Sequence, residues 1–377
     1  MNLKQIGWNE FFERQYKSLK LGKKNYPARV FRVEKNKYHL ESEIGSKVGI
    51  LTGKYLYQTE SRKDFPAVGD WVVVEDITSA DEVRIKFLLK RKTYFGRKEK
   101  ISGGRRVMTI GNKSTTAGGA TQEQIISANI DIVFIVMALD QDFNIRKMER
   151  FLIPVKKSGA TPVMVLNKTD LCENVQKAKR IITESFRNMD VIEVSALKRE
   201  GLEKLREYIS EGITVSFLGS SGVGKSSIIN VLMDNEELKT GEVNEKHHLG
   251  KHTTTWRETV ILPEGGILID NPGLRILKLF VEEEDVKNTF ADIEEIISSC
   301  RYSNCSHNGE EGCAVTEAIE SGKLDRERYE NYIFMKAEAS YMEDRKKEKE
   351  SKNCRKKKQS GKSNKKNSSK KIRYVDI

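Results

Sequence analysis

The sequence predicts a multi-domain protein with an N-terminal all-β barrel, a central α/β domain and a small helical C-terminal domain. Short alternating apolar runs in residues 27–113 indicate the barrel. Apolar strands that alternate with helical patterns in residues 125–281 indicate a parallel sheet with helices on both faces. A cluster of cysteines lies between helical patterns in residues 282–344 and indicates a small metal-binding domain.

The composition favours a cytoplasmic protein. Of the 377 residues, 32% are charged and 37% are hydrophobic. No apolar run approaches the roughly 20 residues that cross a bilayer, and the N-terminus lacks the pattern of a secretory signal. The five cysteines are an odd number, which favours metal binding over a disulfide framework.

The charge is distributed unevenly along the chain. Residues 1–113 and 345–377 each carry +12 and residues 114–344 carry −12, so the whole chain carries +12. Clustered positive charge favours a polyanion such as nucleic acid, bound largely through its phosphates. Two separate basic segments favour nucleic acid over an ordinary solvated surface. The tail at 345–377 is expected to be disordered when free and able to lie along nucleic acid.

Residues 1–26 have an amphipathic pattern, which predicts a short helix packed on the next domain. The basic strands that follow favour an oligonucleotide-binding (OB) barrel that binds RNA, with an SH3-like barrel for protein contacts as the alternative. Residues 114–124 are predicted to form a flexible linker. The five predicted barrel strands are Arg29–Val33, Tyr38–Leu40, Val48–Leu51, Trp71–Val74 and Val83–Leu88.

The segment Gly219–Ser226 matches the phosphate-loop pattern G-x-x-x-x-G-K-[ST] at every fixed position. A predicted strand precedes it and a predicted helix follows it, which is the context that the motif requires. In such loops the backbone N–H groups converge on phosphate oxygens, Lys225 reaches the β- and γ-phosphates and Ser226 binds Mg²⁺. The predicted phosphate-binding residues are Gly219, Ser220, Ser221, Gly222, Val223, Gly224, Lys225, Ser226 and Ser227.

A second motif, Asn167-Lys168-Thr169-Asp170, fits the N-K-x-D pattern and follows a predicted strand. A carboxylate accepts two hydrogen bonds from the ring N–H and amine of guanine, whereas adenine has no amino group there. Asp170 should therefore select guanine, while Asn167 ties the loops together and the stem of Lys168 lies along the base. Thr169 completes the motif. The predicted nucleotide is GTP or GDP with Mg²⁺.

The order of the motifs is unusual. Ser195-Ala196 fits the loop that contacts the guanine oxygen, and both it and the 167–170 motif precede the phosphate loop. In most GTPases the phosphate loop comes first. The sheet can be the same while the chain starts elsewhere, so the sequence predicts a circularly permuted P-loop GTPase domain. This order places the γ-phosphate-sensing end of the domain next to the C-terminal domain.

Two further segments complete the predicted site. Asp270-Asn-Pro-Gly273 fits D-x-P-G, in which Asp270 holds Mg²⁺ through water and the Gly273 N–H senses the γ-phosphate. The segment 250–255 lies where a switch I loop is expected. One of its three threonines should meet Mg²⁺ and the γ-phosphate, the candidates being Thr253, Thr254 and Thr255.

Leu274 stands where Ras-like enzymes have the glutamine that orients the attacking water. Intrinsic hydrolysis should therefore be slow. His252 is the candidate for this task because a neutral imidazole can orient water or accept its proton; it could equally serve only to order the loop. Replacing His252 by Ala should lower stimulated turnover with little effect on GTP affinity, and unchanged turnover would exclude it from the mechanism.

Cys300, Cys305, His307 and Cys313 bring three thiols and one imidazole into a short segment. Four such protein ligands suit one structural Zn²⁺ rather than a catalytic ion. The spacing differs from that of ordinary zinc fingers. Helical patterns at 282–298 and 325–343 flank the cluster, so the sequence predicts a small helical zinc-binding domain over 282–344.

Together these motifs resemble one family, the circularly permuted small ribosomal subunit biogenesis GTPases called RsgA, YjeQ or YloQ. The resemblance covers nearly the whole chain, includes Pro66–Trp71 of the barrel, and rests on the order of the motifs and the cysteine pattern. It implies an enzyme that hydrolyses GTP to GDP and phosphate, binds the 30S subunit and 16S rRNA, and acts late in small-subunit maturation. It also implies stimulation of turnover by the subunit. We expect no membrane or DNA partner and a monomer when free.

The alternative is a GTP-dependent regulatory switch that binds protein partners through the barrel and the zinc domain. Stimulation of GTP hydrolysis by the small subunit, lost on deletion of residues 27–113, would separate the two. A metabolic kinase is disfavoured because Asp170 and Asp270 occur together.

Overall fold

The computed structural model describes residues 2–22, 24–34, 37–59, 62–77, 81–100, 106–110, 113–117, 121–141, 143–186, 189–233, 258–270, 281–341 and 343–344. The chain forms two compact units, Met1–Lys98 with Glu123–Val281 and Glu99–Gln122 with Glu282–Ile377. The first unit contains the barrel and the central sheet, and the second contains the C-terminal helices. No helix in these described ranges is long and apolar enough to cross a membrane.

Five strands close into the N-terminal barrel in the order β1-β2-β3-β5-β4, with β4 paired back to β1. All pairs are antiparallel except β3 with β5. This is an OB-type barrel, as predicted, and each of the five expected strands is present. A short helix that the sequence did not predict, α2 (Gly53–Gln58), follows β3. The strands are β1 (Asn25–Glu34), β2 (Lys37–Ser42), β3 (Gly45–Leu51), β4 (Trp71–Asp76) and β5 (Glu82–Leu88).

The amphipathic N-terminal segment forms a 3₁₀ turn at Leu3–Ile6 and helix α1 (Glu10–Ser18). Its apolar face is buried against the outside of the barrel: Phe12 is 2% exposed. The ring of Trp8 lies 4.7 Å from that of Trp71 in an edge-to-face contact. Strand β4 is therefore buried on both faces, by the barrel interior and by the N-terminal segment.

The segment after the barrel differs from the expected flexible linker at 114–124. Most of this segment forms β-strands, a conformation that β-branched residues such as Thr115 and Thr116 favour. β6 pairs with β9 and β7 with β8. The glycines at 118–119 lie outside the described residues. The four strands are β6 (Tyr94–Lys100), β7 (Arg106–Ile110), β8 (Lys113–Ala117) and β9 (Thr121–Ala128).

The central sheet has the order β12-β11-β10-β13-β15-β14, and only β14 runs antiparallel. Side chains of α3 and α4 bury one face and those of α5 and α6 bury the other, as the strand–helix alternation predicts. The strands are β10 (Ile132–Ala138), β11 (Thr161–Asn167), β12 (Val191–Glu193), β13 (Thr214–Leu218), β14 (Glu258–Ile261) and β15 (Ile267–Asp270). The helices are α3 (Ile145–Ser158), α4 (Val175–Ser185), α5 (Leu202–Arg206) and α6 (Lys225–Leu232).

The barrel and the central sheet are hydrogen-bonded to each other. β1 pairs with β14 in the register Arg32 to Glu258, so eleven strands form one continuous sheet. Beside this junction the guanidinium of Arg29, a β1 residue that is 1% exposed, lies among four acceptors. It donates to the carbonyl oxygens of Ile6 (2.5 Å), Gly69 (3.3 Å) and Asn129 (3.2 Å) and to Thr214 Oγ1 (2.9 Å).

Arg29 therefore joins the N-terminal segment, the barrel and the start of β13. Burial lowers the pKa of Arg29 to about 10, although Asp131 and Asp70 oppose that shift. Asp131 in turn accepts hydrogen bonds from the Thr214 N–H (2.9 Å) and from Lys92 Nζ (3.0 Å). We call Arg29, Asn129, Asp131 and Thr214 the barrel end of the central sheet, because they lie where β10 and β13 begin.

A buried ion pair shapes the turn before β4. Asp70 has no exposed surface and accepts from the Ala67 N–H and, through both oxygens, from Arg91 (2.8 and 2.7 Å). Burial lowers the pKa of Arg91, but the Asp70 carboxylate outweighs burial, so the pKa is raised. Two basic residues of the N-terminal region are thus neutralised by acidic residues of the same chain, Arg91 by Asp70 and Lys92 by Asp131.

In the described residues of the C-terminal unit, four helices lie around the buried side chains of Phe290 and Tyr332, whose rings are 5.6 Å apart. The single helix expected over 282–298 is broken at Phe290, whose backbone departs from helical geometry (φ −111°, ψ 41°). Arg328 donates to both oxygens of Asp292 and so joins the last helix of the unit to the helix that follows Phe290. The helices are α7 (Glu283–Thr289), α8 (Ala291–Ser298), α9 (Ala314–Glu320) and α10 (326–341).

Candidate functional site

The phosphate loop connects β13 to α6 and requires glycine at two close approaches. A Cβ on Gly219 would lie 2.4 Å from the Val136 carbonyl oxygen. A Cβ on Gly224 would lie 2.1 Å from Asn167 Nδ2, and its φ of +93° also favours glycine. The loop therefore packs directly on the ends of β10 and β11, at the carboxyl edge of the sheet where open α/β folds bind ligands.

Lys225 is the first residue of α6 and is 8% exposed. Its Nζ donates to the carbonyl oxygens of Gly219 (2.8 Å) and Ser220 (2.5 Å). The ammonium group and the backbone N–H groups of the first turn of α6 thus lie at one loop, and both favour an anion. Ser226 follows in the first helical turn and is half-buried, while Ser221, Gly222 and Ser227 are exposed.

Asn167, at the end of β11, joins three loops. It is 2% exposed, its Nδ2 donates to the Val223 carbonyl oxygen (2.8 Å), and its Oδ1 accepts from the Ala196 N–H (3.1 Å). The phosphate loop and the Ser195-Ala196 loop are therefore held at a fixed distance from the 167–170 motif. The structure brings together the residues that the sequence assigned to phosphate and to guanine.

The Asp170 carboxylate lies beside the Ser195 hydroxyl, which donates to Asp170 Oδ1 at 2.5 Å. Ser195 itself has no exposed surface. One Asp170 oxygen is thus positioned by the protein. A carboxylate oriented in this way can accept the paired N–H donors of a guanine edge.

Lys168 has a left-handed backbone (φ 62°), and its Nζ lies 2.7 Å from Asp140 Oδ2. Sequence reasoning missed Asp140. The available signal was its position just after β10, at the same carboxyl edge as the other polar residues. Asp140 fixes the direction of the Lys168 stem, which the sequence expected to lie along the base.

The switch residues cannot be placed in the same way. His252, Thr253, Thr254, Thr255, Gly273 and Leu274 lie outside the described residues. Asp270 is described: it ends β15 and is half-buried.

The second candidate site is the cysteine cluster. One ligand atom from each of Cys300, Cys305, His307 and Cys313 lies within 4.8 Å of every other. His307 Nδ1 is 3.5 Å from Cys300 Sγ and 3.7 Å from Cys313 Sγ. Tetrahedral Zn²⁺ with ordinary bond lengths separates sulfur and nitrogen ligands by about 3.6 Å. The donor set and its spacing therefore fit Zn²⁺.

Two neighbours order this cluster. Cys313 precedes α9 and its Sγ accepts from the Thr316 N–H (3.4 Å). Burial raises the pKa of Cys313, but the hydrogen bonds from Thr316 and His307 prevail and lower it to about 6. Glu310, which sequence reasoning missed, accepts from the N–H groups of Ser306 (2.9 Å) and Asn308 (2.8 Å) and so folds the loop that carries His307.

Comparison with known proteins agrees with this geometry. Residues 110–280 match the RsgA GTPase family. A small ribosomal subunit biogenesis GTPase RsgA from Opitutus terrae is 36% identical over 351 residues, which cover 90% of this chain and 90% of the relative. RsgA 1 from Oceanobacillus iheyensis is 38% identical over 317 residues, covering 84% of this chain and 86% of the relative.

Solved structures show the same fold. YjeQ from Thermotoga maritima superposes with a TM-score of 0.59 at 27% identity and covers 84% of this chain and 98% of its own. YloQ, described as a circularly permuted GTPase, superposes with a TM-score of 0.55 at 24% identity and covers 85% and 96%. With its phosphate loop downstream of the guanine motif in both sequence and structure, the chain belongs to the RsgA family of circularly permuted GTPases.

Proposed function

We propose that this GTPase acts in late maturation of the small ribosomal subunit. It binds the 30S particle and its 16S rRNA, and the particle stimulates hydrolysis of GTP to GDP and phosphate. The observation that carries this proposal is the Asn167-centred junction of guanine and phosphate loops in a chain whose relatives are named for small-subunit biogenesis. A role in small-subunit maturation would place the protein in the cytoplasm.

In this proposal the nucleotide is held between the two motifs. Asp170 accepts from guanine, Lys168 supports the base, and the 195–196 loop contacts the guanine oxygen. Lys225 and the backbone N–H groups of 219–227 bind the phosphates, which the close packing of the loop on Asn167 supports. Mg²⁺ supplies charge neutralisation at the phosphates when bound, and Ser226 and Asp270 are its proposed partners. His252, the threonines 253–255 and Gly273 keep their predicted switch roles.

The cysteine cluster is proposed to hold one structural Zn²⁺. The ligand distances support it, and four protein ligands leave no open position for catalysis. One zinc ion per purified chain, measured by elemental mass spectrometry and reduced in Cys300→Ser, is the expected result. A metal-free wild-type protein that folds normally would exclude the ion.

We further propose that each domain has the function that the sequence predicts for it: an RNA-binding barrel over 27–113, a GTPase domain over 125–281 and a zinc domain over 282–344. The N-terminal extension and the basic tail would add auxiliary RNA contacts. Deleting residues 27–113 is a poor test, because it would remove β1 from the edge of β14 and Arg29 from its hydrogen bond to Thr214.

The test therefore uses the full chain. GTP hydrolysis is measured alone, with purified 30S subunits and with 50S subunits as the particle control. Lys225→Ala serves as the control for contaminating activity. We expect stimulation by 30S subunits only. If 30S subunits leave the rate of the active protein unchanged, the assembly role is wrong and the alternative, a GTP-dependent switch with protein partners, gains support.

A further inference from the structure

A surface pocket of about 440 Å³ lies on the barrel, at the junction of β3, α2 and β5. The side chains of Tyr55, Arg84, Lys86 and Phe87 line it, together with the chain at Thr52-Gly53. Two of the lining residues are cationic and none is acidic. The volume is within the range of pockets that hold small organic groups, and a nucleobase is such a group.

A β-bulge creates the aromatic wall of this pocket. Val73 of β4 pairs with Phe87 and Val74 pairs with Ile85, so Lys86 is an extra residue in β5. Ile85 is fully buried in the barrel, whereas Phe87 is 39% exposed. Without the extra residue, strict alternation would direct residue 87 into the barrel. The bulge thus turns an aromatic ring outward next to two cations.

The charges around the pocket leave a net positive potential. Lys86 Nζ lies 3.0 Å from Glu75 Oε2 on β4, and Glu75 is also opposite Arg84 in the strand register. One carboxylate thus faces two cations. The surplus charge and the +12 of residues 1–113 both favour an anionic partner. The apolar exposure continues on α2, where Leu56 is 51% and Tyr57 is 93% exposed.

We propose that this pocket binds one unpaired nucleotide of RNA, with its base against Phe87 and its phosphate at Arg84 and Lys86. Aromatic rings beside cations are the means by which OB barrels hold single strands. A base inside a duplex is already stacked and cannot cover Phe87, so the pocket selects an unpaired base. The proposal deepens the proposed function by naming the kind of rRNA element that the barrel contacts.

The test measures binding of the full chain to a fluorescein-labelled 12-nucleotide single-stranded RNA and to a 12-base-pair RNA duplex by fluorescence anisotropy. The variants are Phe87→Ala, Phe87→Trp and Arg84→Ala. Phe11→Ala is the matched control, since Phe11 is 41% exposed on α1, outside the pocket. Thermal unfolding of each variant shows whether it is folded, and Phe87→Trp retains an aromatic face if the alanine variant is unstable.

We expect Phe87→Ala to weaken single-strand binding by about 5- to 100-fold and duplex binding by less than about 2-fold. Phe87→Trp and Phe11→Ala should bind as the wild type does. Arg84→Ala should weaken binding and lower the slope of log affinity against log salt by about 0.7.

Wild-type affinity in Phe87→Ala, or an equal loss for strand and duplex, would overturn the proposal, as would failure of the wild type to bind the strand. Unchanged RNA binding with lost 30S stimulation would point to a protein at the pocket and would also overturn it. These results leave the proposed function standing as long as 30S subunits stimulate the wild type. Only the loss of that stimulation removes the function itself.

Discussion

Polar side chains with different roles lie at the two ends of the central sheet. At the carboxyl ends of the strands, Lys225 donates to the Gly219 carbonyl oxygen and Asp170 accepts from the Ser195 hydroxyl. Both are residues that we propose bind the nucleotide. At the barrel end, Arg29 and Thr214 are 1% exposed and bond to each other and to buried carbonyl groups. Polar groups that bind a ligand must be able to exchange their hydrogen bonds within the protein for hydrogen bonds to that ligand. Those at the barrel end instead stabilise the fold. Variants at the two ends should therefore separate affinity from stability.

Arg29→Met should have the largest effect. It removes the buried donor from the carbonyl oxygens of Ile6 and Asn129, whereas the Gly69 carbonyl keeps its hydrogen bond from Asn129 Nδ2. Each buried acceptor left unsatisfied costs about 1–3 kcal/mol. Urea unfolding should show this loss, while the folded fraction keeps wild-type affinity for GDP. Arg14→Met, which removes an exposed pair on α1, is the control. A loss below about 1 kcal/mol for Arg29→Met would mean that the barrel end is not a structural tie.

Asp170→Asn should act at the other end with the opposite signature. The amide oxygen can still accept from Ser195, so the unfolding free energy should change little. Loss of the charged acceptor should weaken GDP binding about 10- to 150-fold and reduce discrimination against ADP. Competition titrations with a fluorescent GDP analogue measure both. Asp190→Asn, which alters a carboxylate bonded to Tyr208, is the control, and equal affinities in the two variants would contradict the assignment of Asp170 to guanine.

Lys92→Met should have the smallest effect. Its Nζ lies 3.0 Å from Asp131 Oδ1, but its side chain is 49% exposed, and exposed pairs contribute about 0–1 kcal/mol. Asp131 keeps its hydrogen bond from the Thr214 N–H. Unfolding in low salt and in 1 M salt should show a small loss that disappears as salt rises. A large, salt-independent loss would extend the buried network of Arg29 to the protein surface.

The nucleotide end could be predicted from the sequence because its signals are local. The phosphate loop and the 167–170 motif are short, fixed patterns next to strands, and the alternating runs of the barrel are equally local. The structure confirms the strands and brings the two motifs together through Asn167. The break at Phe290 and the six-residue helix α2 escaped prediction, since a single helical turn or an interruption leaves the 3.6-residue period almost unchanged.

The barrel end could not be predicted because its contacts are distant in sequence. Arg29 and Thr214 are separated by 185 positions, and no spacing rule connects them. In the sequence, Arg29 counts as one more positive charge of a basic strand available to RNA. Burial of its guanidinium among four acceptors reverses that interpretation, as the Asp70 pair does for Arg91.

β14 is the last strand of the nucleotide sheet and has four residues, and β1 lies along its outer edge at Arg32 and Glu258. An uncovered edge strand offers unpaired N–H and carbonyl groups to any other chain and promotes aggregation or exchange of strands between molecules. The barrel therefore also covers the edge of the GTPase domain at which strand-to-strand self-association would occur. A GTPase domain moved by recombination without the barrel would lose β1 from this edge, so the GTPase domain depends on the barrel for its edge protection.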